Sequence, residues 1–186
     1  MEDSKKIIVF LLLLGIVLIS GCTKTGYLTE YNQVDKDVII IKSSSEMLPK
    51  MGDLSTEWVF KDLEKSEINS TGFEEGNKIS FHKGSQGDYR VATYAYRFSS
   101  IENAKNYYQS TIEDDKTLSK GGYKEIPVSK IGTECTGYVR ETWLVDKYTL
   151  YCVKNNIFFE VSLDSLSFNG EEYVIEVAKI IDSKIN

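Results

Sequence analysis

The amino-acid sequence predicts an α+β domain in which an antiparallel sheet carries two helices on one face. Two observations support this fold class. Alternating apolar and polar residues recur in short runs, which is typical of half-buried strands, and two longer segments repeat apolar residues at helical spacing. The order along the chain is strands, helix, strands, helix, with no internal repeat. Strands grouped in this way favour an antiparallel sheet.

The first half of the predicted domain contains four strands and one helix. The strands are placed at 38–41, 57–63, 78–82 and 89–98. A helix follows the last of them directly, because Ser99 and Glu102 fit a capping box in which Ser99 accepts from the Glu102 amide. Its buried stripe is formed by apolar residues at helical spacing, namely Ile101, Ala104, Tyr108 and Ile112.

The second half of the predicted domain also contains four strands, followed by a closing helix. The strands are placed at 123–128, 132–142, 147–153 and 157–163. Asn155 and Asn156 form a two-residue turn between the last two strands, because asparagine tolerates positive φ. These two strands are therefore predicted to be antiparallel neighbours. The closing helix begins at Asn169, and its apolar face is Val174, Val177, Ala178, Ile181 and Ile185.

The chain opens with the features of an export signal. Lys5 and Lys6 form a positive start, and residues 7–19 are an apolar run interrupted only by Gly15. That run is shorter than the roughly 20 residues that cross a bilayer comfortably. It therefore suits a signal peptide better than a membrane-spanning helix.

The residues that end this leader, Ile19-Ser20-Gly21-Cys22, resemble the lipobox of prokaryotic lipoproteins. The resemblance implies that the Cys22 thiol carries a thioether-linked lipid and that cleavage makes Cys22 the first mature residue. Two acyl chains give stable anchoring, which one chain alone does not. The alternative is an uncleaved signal-anchor helix in which Cys22 has no role. Both interpretations place the remaining chain outside the cytoplasm.

The domain organisation follows from this leader. Residues 1–21 are predicted to be a lipoprotein signal peptide, residues 22–37 a polar tether that starts at lipidated Cys22, and residues 38–186 a single extracytoplasmic α+β domain. We therefore expect the protein at the cell membrane, lipid-anchored, with its domain facing outward. The predicted domain is long enough to bury a core of its own.

Charge limits the classes of partner. The chain has 22 basic and 28 acidic residues, for a formal net charge of −6, and the two signs are interspersed. Nucleic acids and anionic lipid surfaces attract clustered lysine and arginine, so neither is expected as a partner. The expected partners are the membrane, through the lipid, and an unknown protein or small molecule.

Cys135 and Cys152 remain as a pair if Cys22 is lipidated. In an oxidising compartment we expect them to form a disulfide, and the alternative is two reduced, buried thiols. A hairpin turning near Val145-Asp146 places Val139, not Cys135, opposite Cys152. The bond then requires a longer loop, a bulge or pairing across non-adjacent strands.

Asn69 opens the single glycosylation sequon of the chain, Asn69-Ser70-Thr71, in a predicted surface loop. Modification of Asn69 is expected only in a host that glycosylates. Because such tripeptides also occur by chance, an unmodified loop residue is the alternative.

No catalytic set is evident in the sequence. His82 is the one histidine of the chain, and no Gly-x-Ser-x-Gly motif accompanies it. A zinc site usually needs several histidine or cysteine ligands at close spacing, which one histidine and two distant cysteines do not supply. We therefore expect no enzymatic activity, no cofactor and no metal.

Aromatic residues are abundant, with twelve tyrosines and eight phenylalanines. Tyrosine combines an apolar ring with a polar tip, which suits the binding of sugars, peptides or protein surfaces. The alternative is that most of these rings line the core. Those on predicted strands and the first helix are Tyr94, Tyr96, Tyr107, Tyr108, Tyr138, Tyr148 and Tyr151, and Tyr107 is expected to be more exposed than Tyr108.

The domain resembles small prokaryotic surface lipoproteins with PsbP-like or sensor-type α+β domains. The resemblance covers most of residues 48–185 and implies a binding or accessory domain without catalysis. The segments that carry it are Leu48-Pro49 with Trp58, Tyr96-Arg97-Phe98 running into Ile101–Ala104, Ile131-Gly132-Thr133-Glu134, and Asn156-Ile157-Phe158-Phe159.

Taken together, these patterns predict a membrane-anchored extracytoplasmic lipoprotein that binds a small ligand, a peptide or an envelope protein. The alternative is a structural or accessory subunit of a membrane complex. An enzyme is a third hypothesis, and it requires a catalytic cluster that only the fold can assemble.

Overall fold

The computed structural model describes residues 38–84, 89–118, 122–166 and 170–185. They lie in one unit of the chain, Asp37–Asn186. The apolar leader and Cys22 lie outside the described residues. Within the four described ranges, no helix has both the length and the apolar character needed to cross a membrane.

The described residues form an α+β fold, as the sequence predicts. One sheet contains seven antiparallel strands in the order β1-β2-β3-β7-β6-β5-β4. A 3-10 turn at Met51–Asp53 follows the first short helix. In chain order the elements are α1 Ser44–Met47, β1 Trp58–Lys65, β2 Phe73–Lys83, β3 Tyr89–Phe98, α2 Ile101–Leu118, β4 Tyr123–Ile126, β5 Glu134–Arg140, β6 Asp146–Lys154, β7 Ile157–Ser165 and α3 Gly170–Lys184.

The two long helices pack on opposite faces of the sheet, so the prediction of both helices on one face is wrong. Along β7, Phe159 and Val161 belong to the core beneath α3, whereas Phe158 belongs to a second core beneath α2. Neighbouring residues of a strand point to opposite faces, so each core occupies its own side of the sheet. We call these sides the α3 face and the α2 face.

The predicted first strand at 38–41 is not a strand. Ile40 instead bonds to the side chain of Asn156, which lies in the β6–β7 turn. Its amide donates to Asn156 Oδ1 at 2.6 Å, and its carbonyl accepts from Asn156 Nδ2 at 3.1 Å. The fully buried Asn156 side chain therefore makes the hydrogen bonds to the Ile40 amide and carbonyl that a neighbouring strand would otherwise make.

The β6–β7 turn is formed by Asn155 and Asn156, and Asn155 has a φ of 54°. β6 and β7 are antiparallel neighbours, which confirms that part of the prediction. We call the end of the sheet that carries this turn the turn end. The opposite end, which carries the β5–β6 hairpin loop, is called the hairpin end.

Cys135 and Cys152 form a disulfide, with their Cα atoms 4.1 Å apart. They stand directly opposite each other on β5 and β6. The pairing of Arg140 with Lys147 centres the hairpin between Trp143 and Leu144, earlier than the sequence suggested. That shift in register puts Cys135 opposite Cys152 without a bulge.

Candidate functional site

A cavity of about 430 Å³ lies where β2 extends past the end of β1. The last pair of that ladder joins Lys65 to Asn77, but β2 begins four residues earlier, at Phe73. The uncovered start of β2 therefore forms one wall of the cavity, at the turn end. We call this cavity the Glu75 pocket. It is lined by Ser45, Lys65, Ser66, Glu67, Phe73, Glu74, Glu75, Gly76 and Asn77.

Neighbouring atoms pack so closely against Gly76 that no residue with a side chain would fit at this position. A Cβ atom at this position would lie 2.3 Å from the Ser66 carbonyl oxygen and 2.6 Å from the Tyr96 ring. The Ser66 amide donates to the Gly76 carbonyl at 2.9 Å, and the Ser66 and Tyr96 hydroxyls are hydrogen-bonded at 2.9 Å. Burial raises the pKa of Tyr96 to about 12, so its hydroxyl stays protonated.

Glu75 is fixed in place by groups from three parts of the chain. Its Oε1 accepts from Ser43 Oγ at 2.6 Å and from Asn77 Nδ2 at 3.3 Å. Partial burial raises the pKa of the Glu75 carboxyl, but the bonds from Ser43, the Ser44 amide and Asn77, with the Arg97 charge, outweigh it and lower the pKa. Glu75 is therefore a carboxylate with a defined orientation.

Arg97 links this carboxylate to the 38–41 segment. Its guanidinium lies 3.1 Å from Glu74 Oε2 and 3.5 Å from Glu75 Oε2. The same guanidinium donates to the carbonyls of Ile41 at 2.7 Å and Lys42 at 3.2 Å. Arg97 thus neutralises part of the acidic charge and holds the N-terminal segment beside the pocket.

The pocket presents mainly hydrogen-bond acceptors. Three of its lining residues are glutamates and one is a lysine, so acidic groups outnumber basic ones. The hydroxyls of Ser45 and Ser66 add groups that both donate and accept. Such a lining suits a small molecule with hydroxyl or amino groups.

A second cavity, of about 410 Å³, lies beside β4 and β5 on the α2 face. It is lined by Lys116, Tyr123, Glu125 and Tyr138. Lys116 Nζ lies 5.4 Å from the centroid of the Tyr138 ring, so the protein itself supplies a cation to this aromatic face. We therefore regard the Glu75 pocket as the better candidate site.

Most of the tyrosines singled out by the sequence lie in the cores. Tyr96, Tyr108, Tyr138 and Tyr151 are buried on the α2 face, and Tyr148 is buried on the α3 face. Tyr94 and Tyr107 are half-buried. As predicted, Tyr107 is more exposed than Tyr108, although the centroid of its ring lies 4.9 Å from that of the Phe158 ring. The tyrosines thus form a core more than a binding surface.

Glu160 is an acidic side chain set among these rings. Tyr94 of β3 and Tyr151 of β6 stand directly opposite it on the two neighbouring strands. Burial raises the pKa of the Glu160 carboxyl to about 7; the nearby Asp115 charge adds to this and the Lys147 charge opposes it. Asp115 itself accepts hydrogen bonds from the Tyr123 and Tyr151 hydroxyls, at 3.2 and 2.9 Å.

The other candidate residues are not brought together. Asn69 is exposed in the loop between β1 and β2, as a modification site requires. His82 lies on β2 between Val59 of β1 and Arg90 of β3. Among the described residues, no group of three or more histidine, cysteine or acidic side chains is arranged to hold a metal.

The sequence pattern does not reveal the Glu75 pocket, because it predicts the start of β2 at residue 78 and a loop before it, whereas the strand begins at Phe73. The available signal was Phe73 followed at a spacing of two by Glu75 and Asn77, but an alternation of this length also occurs in loops.

The fold is similar to that of the extracellular domain of PknH from Mycobacterium tuberculosis. The TM-score is 0.57 at 12% sequence identity, covering 75% of this chain and 93% of that one. A GTP-binding regulator from Thermotoga maritima gives a TM-score of 0.41 at 12% identity, over 75% of this chain and 96% of that one. No protein-family model matches the chain, and no curated protein is significantly similar to it. The likeness to the PknH domain concerns the fold alone.

Proposed function

We propose that this chain is a lipid-anchored extracytoplasmic module that binds a small polar ligand in the Glu75 pocket, without catalysis. The observation that carries the proposal is a carboxylate with fixed orientation in a cavity of about 430 Å³. Small-molecule sites have volumes in this range and use a few precisely placed polar groups. The leader that ends at Cys22 supports the location of the module.

The lining residues of the Glu75 pocket indicate which chemical groups a ligand needs. Glu67, Glu74 and Glu75 are acceptors, so the ligand needs donors such as hydroxyl or ammonium groups. Phe73 adds an aromatic surface against which an apolar part of the ligand can pack. An anionic ligand is disfavoured by the excess of carboxylates.

The test is thermal unfolding of the detergent-solubilised full chain with monosaccharides, amino acids and short polyamines. We expect at least one compound to raise the melting temperature of the natural protein and to lose that effect with Glu67→Gln, which removes one lining charge. Glu172→Gln on the exposed side of α3 is the matched control and should respond like the natural protein. Stabilisation that persists with Glu67→Gln and Ser45→Ala would place the ligand elsewhere.

One observation favours the second function, that of an accessory subunit of a membrane complex. At the hairpin end, Trp143 is 94% exposed and Leu144 is 61% exposed. Two hydrogen bonds close this loop, because Thr142 Oγ1 donates to the Val145 carbonyl at 2.5 Å and accepts from its amide at 3.0 Å. Co-purification with and without Trp143→Ser tests this function, and a partner retained by the variant would contradict it.

A further inference from the structure

The 38–41 segment presents apolar side chains on a fixed backbone. Val38 is 50% exposed, Ile39 is 48% exposed and Ile41 is 87% exposed, whereas Ile40 between them is buried. Asn156 holds the Ile40 amide and carbonyl, and Arg97 holds the Ile41 carbonyl. The backbone of Ile40 and Ile41 is therefore held against the domain, next to the exposed side chains of Val38 and Ile39. Contiguous exposed apolar residues of this kind mark interaction surfaces.

These three side chains lie at the turn end of the sheet, because Asn156 belongs to the β6–β7 turn. β6, Asp146–Lys154, runs the length of the sheet to the hairpin end. At about 3.3 Å per residue, nine residues separate the two ends by roughly 27–30 Å. Val38, Ile39 and Ile41 and the exposed Trp143 are therefore on opposite ends of the domain.

We propose that the turn end rests on the lipid bilayer, with Val38, Ile39 and Ile41 immersed at the boundary between headgroups and acyl chains. The inference rests on the lipid anchor of the proposed function, but goes beyond it, because an anchor alone leaves the domain free to take any orientation. Apolar side chains at such a boundary gain from leaving water.

The point where the predicted tether enters the domain favours a bilayer over a protein partner. Sixteen residues, from Cys22 to Asp37, separate the predicted lipid from Val38. A chain of this length reaches roughly 53–58 Å at most when it is fully extended. The tether joins the domain at the turn end, so Val38, Ile39 and Ile41 are the exposed apolar side chains joined most directly to the predicted lipid.

The charges around the three side chains permit this contact without requiring anionic lipid. Lys42 Nζ donates to the Lys184 carbonyl at 2.9 Å, Lys154 pairs with Asp182 at 3.3 Å, and Lys184 pairs with Asp53. These three lysines are therefore bonded to acceptors within the protein. Apolar contact is the driving force, and we expect docking on zwitterionic vesicles.

Quenching by brominated phosphatidylcholine tests the proposal on the full chain reconstituted in vesicles. The chain has two tryptophans, Trp58 and Trp143, and Trp58 is buried. A reporter with Ile41→Trp and Trp143→Phe places the exposed indole at the turn end, and the natural protein keeps it at the hairpin end. We expect severalfold stronger quenching of the reporter than of the natural protein.

A matched control replaces Val59→Trp in the Trp143→Phe background. Val59 is also 50% exposed, but it pairs with His82 near the hairpin end of β2, so the bilayer should not quench this indole. Adding Val38→Ser and Ile39→Ser to the reporter should weaken its quenching, and circular dichroism checks that each variant is folded.

The outcomes separate docking from anchoring. Equal quenching at the two ends, or stronger quenching of Trp143, in a chain that floats with the vesicles overturns the docked orientation and leaves the anchor standing. A folded chain that does not float overturns both the anchor and the docking.

Discussion

At the scale of single residues, two polar side chains of the interior affect the free energy of unfolding, one through pH and the other through its hydrogen bonds. Glu160 places a carboxyl among tyrosine rings, and burial raises its pKa to about 7. The side chain of Asn156 is fully buried and makes three hydrogen bonds, two to Ile40 and one to the Phe98 carbonyl at 2.7 Å. Glu160 therefore links stability to pH, and Asn156 fixes the N-terminal segment.

Stability should fall as pH rises from about 4.5 to 7. The pKa of Glu160 is about 7 in the folded protein against a usual 4.5, so in this window the folded chain holds a proton that the unfolded chain has released. The stabilisation is complete below the lower pKa and is lost as pH rises through the higher one. We expect a loss on the order of 3 kcal/mol, measured by urea unfolding.

Glu160→Gln should remove this pH dependence, because glutamine stays neutral throughout the window. Glu172→Gln on the exposed side of α3 removes one carboxylate without touching the tyrosine core, and it should keep the slope. An unchanged slope in Glu160→Gln would show that another group binds the proton.

Asn156→Ala should lower the free energy of unfolding by about 3 kcal/mol, because it leaves the Ile40 amide and two carbonyls without partners. Amide exchange at Ile40 should accelerate in the same variant. Asn155→Gly is the control, since Asn155 has positive φ, which glycine adopts readily, and its stability should change little. Equal losses in the two variants would contradict the assigned bonds.

At the scale of elements, α2 shows where local sequence signals mislead. The sequence places the start of α2 directly after β3, as the structure does, but it predicts Ser99 as the capping residue, whereas Ser100 caps the helix in the structure. The Asn103 amide donates to Ser100 Oγ at 3.1 Å, whereas Ser99 Oγ accepts from the side chain of Asn103. Two adjacent serines before a helix satisfy the same pattern, so sequence alone does not choose between them.

Ser100→Ala should therefore destabilise the protein by about 1 kcal/mol, the usual effect of losing an N-cap acceptor. Ser99→Ala should have a smaller effect, because the Ser99 hydroxyl bonds a side chain and not an orphan amide. Chemical denaturation of both variants measures the difference. A larger loss for Ser99→Ala would restore the capping box inferred from sequence.

The strands show what sequence patterns do and do not decide. The sequence predicts all seven strands of the sheet, most of their bounds to within two residues, and the antiparallel pairing of β6 with β7. It also predicts a strand at 38–41 that the structure does not have. On the α2 side of β7, Phe158 is followed by Glu160 and Ser162, and this alternation favours a solvent-facing side, with both helices on the other face. Phe158 was the contrary signal, since strands covered on both faces contain continuous apolar runs.

A β-bulge in β1 defeats the alternation there. Phe60 pairs with Phe81 and Asp62 pairs with Ser80, so one extra residue, Lys61, lies between them. Leu63, opposite Ile79, therefore lies on the same face as Phe60, although their spacing predicts opposite faces. Bulges and buried acids such as Glu160 depend on tertiary contacts that a local pattern does not contain.

At the scale of the whole molecule, the two ends of the sheet differ in chemistry. The turn end carries the Glu75 pocket and the exposed side chains of the 38–41 segment, and Arg97 bonds to both. The hairpin end carries Trp143. An anchored module with these ends would bind its ligand close to the bilayer and present Trp143 outward.

The lipid on Cys22 is the claim on which this arrangement depends, and the intact mass of the membrane-extracted protein tests it most directly. We predict a chain that begins at Cys22 and carries the added mass of a thioether-linked lipid. A membrane-bound chain that still begins at unmodified Met1 would contradict the lipid anchor and the orientation derived from it.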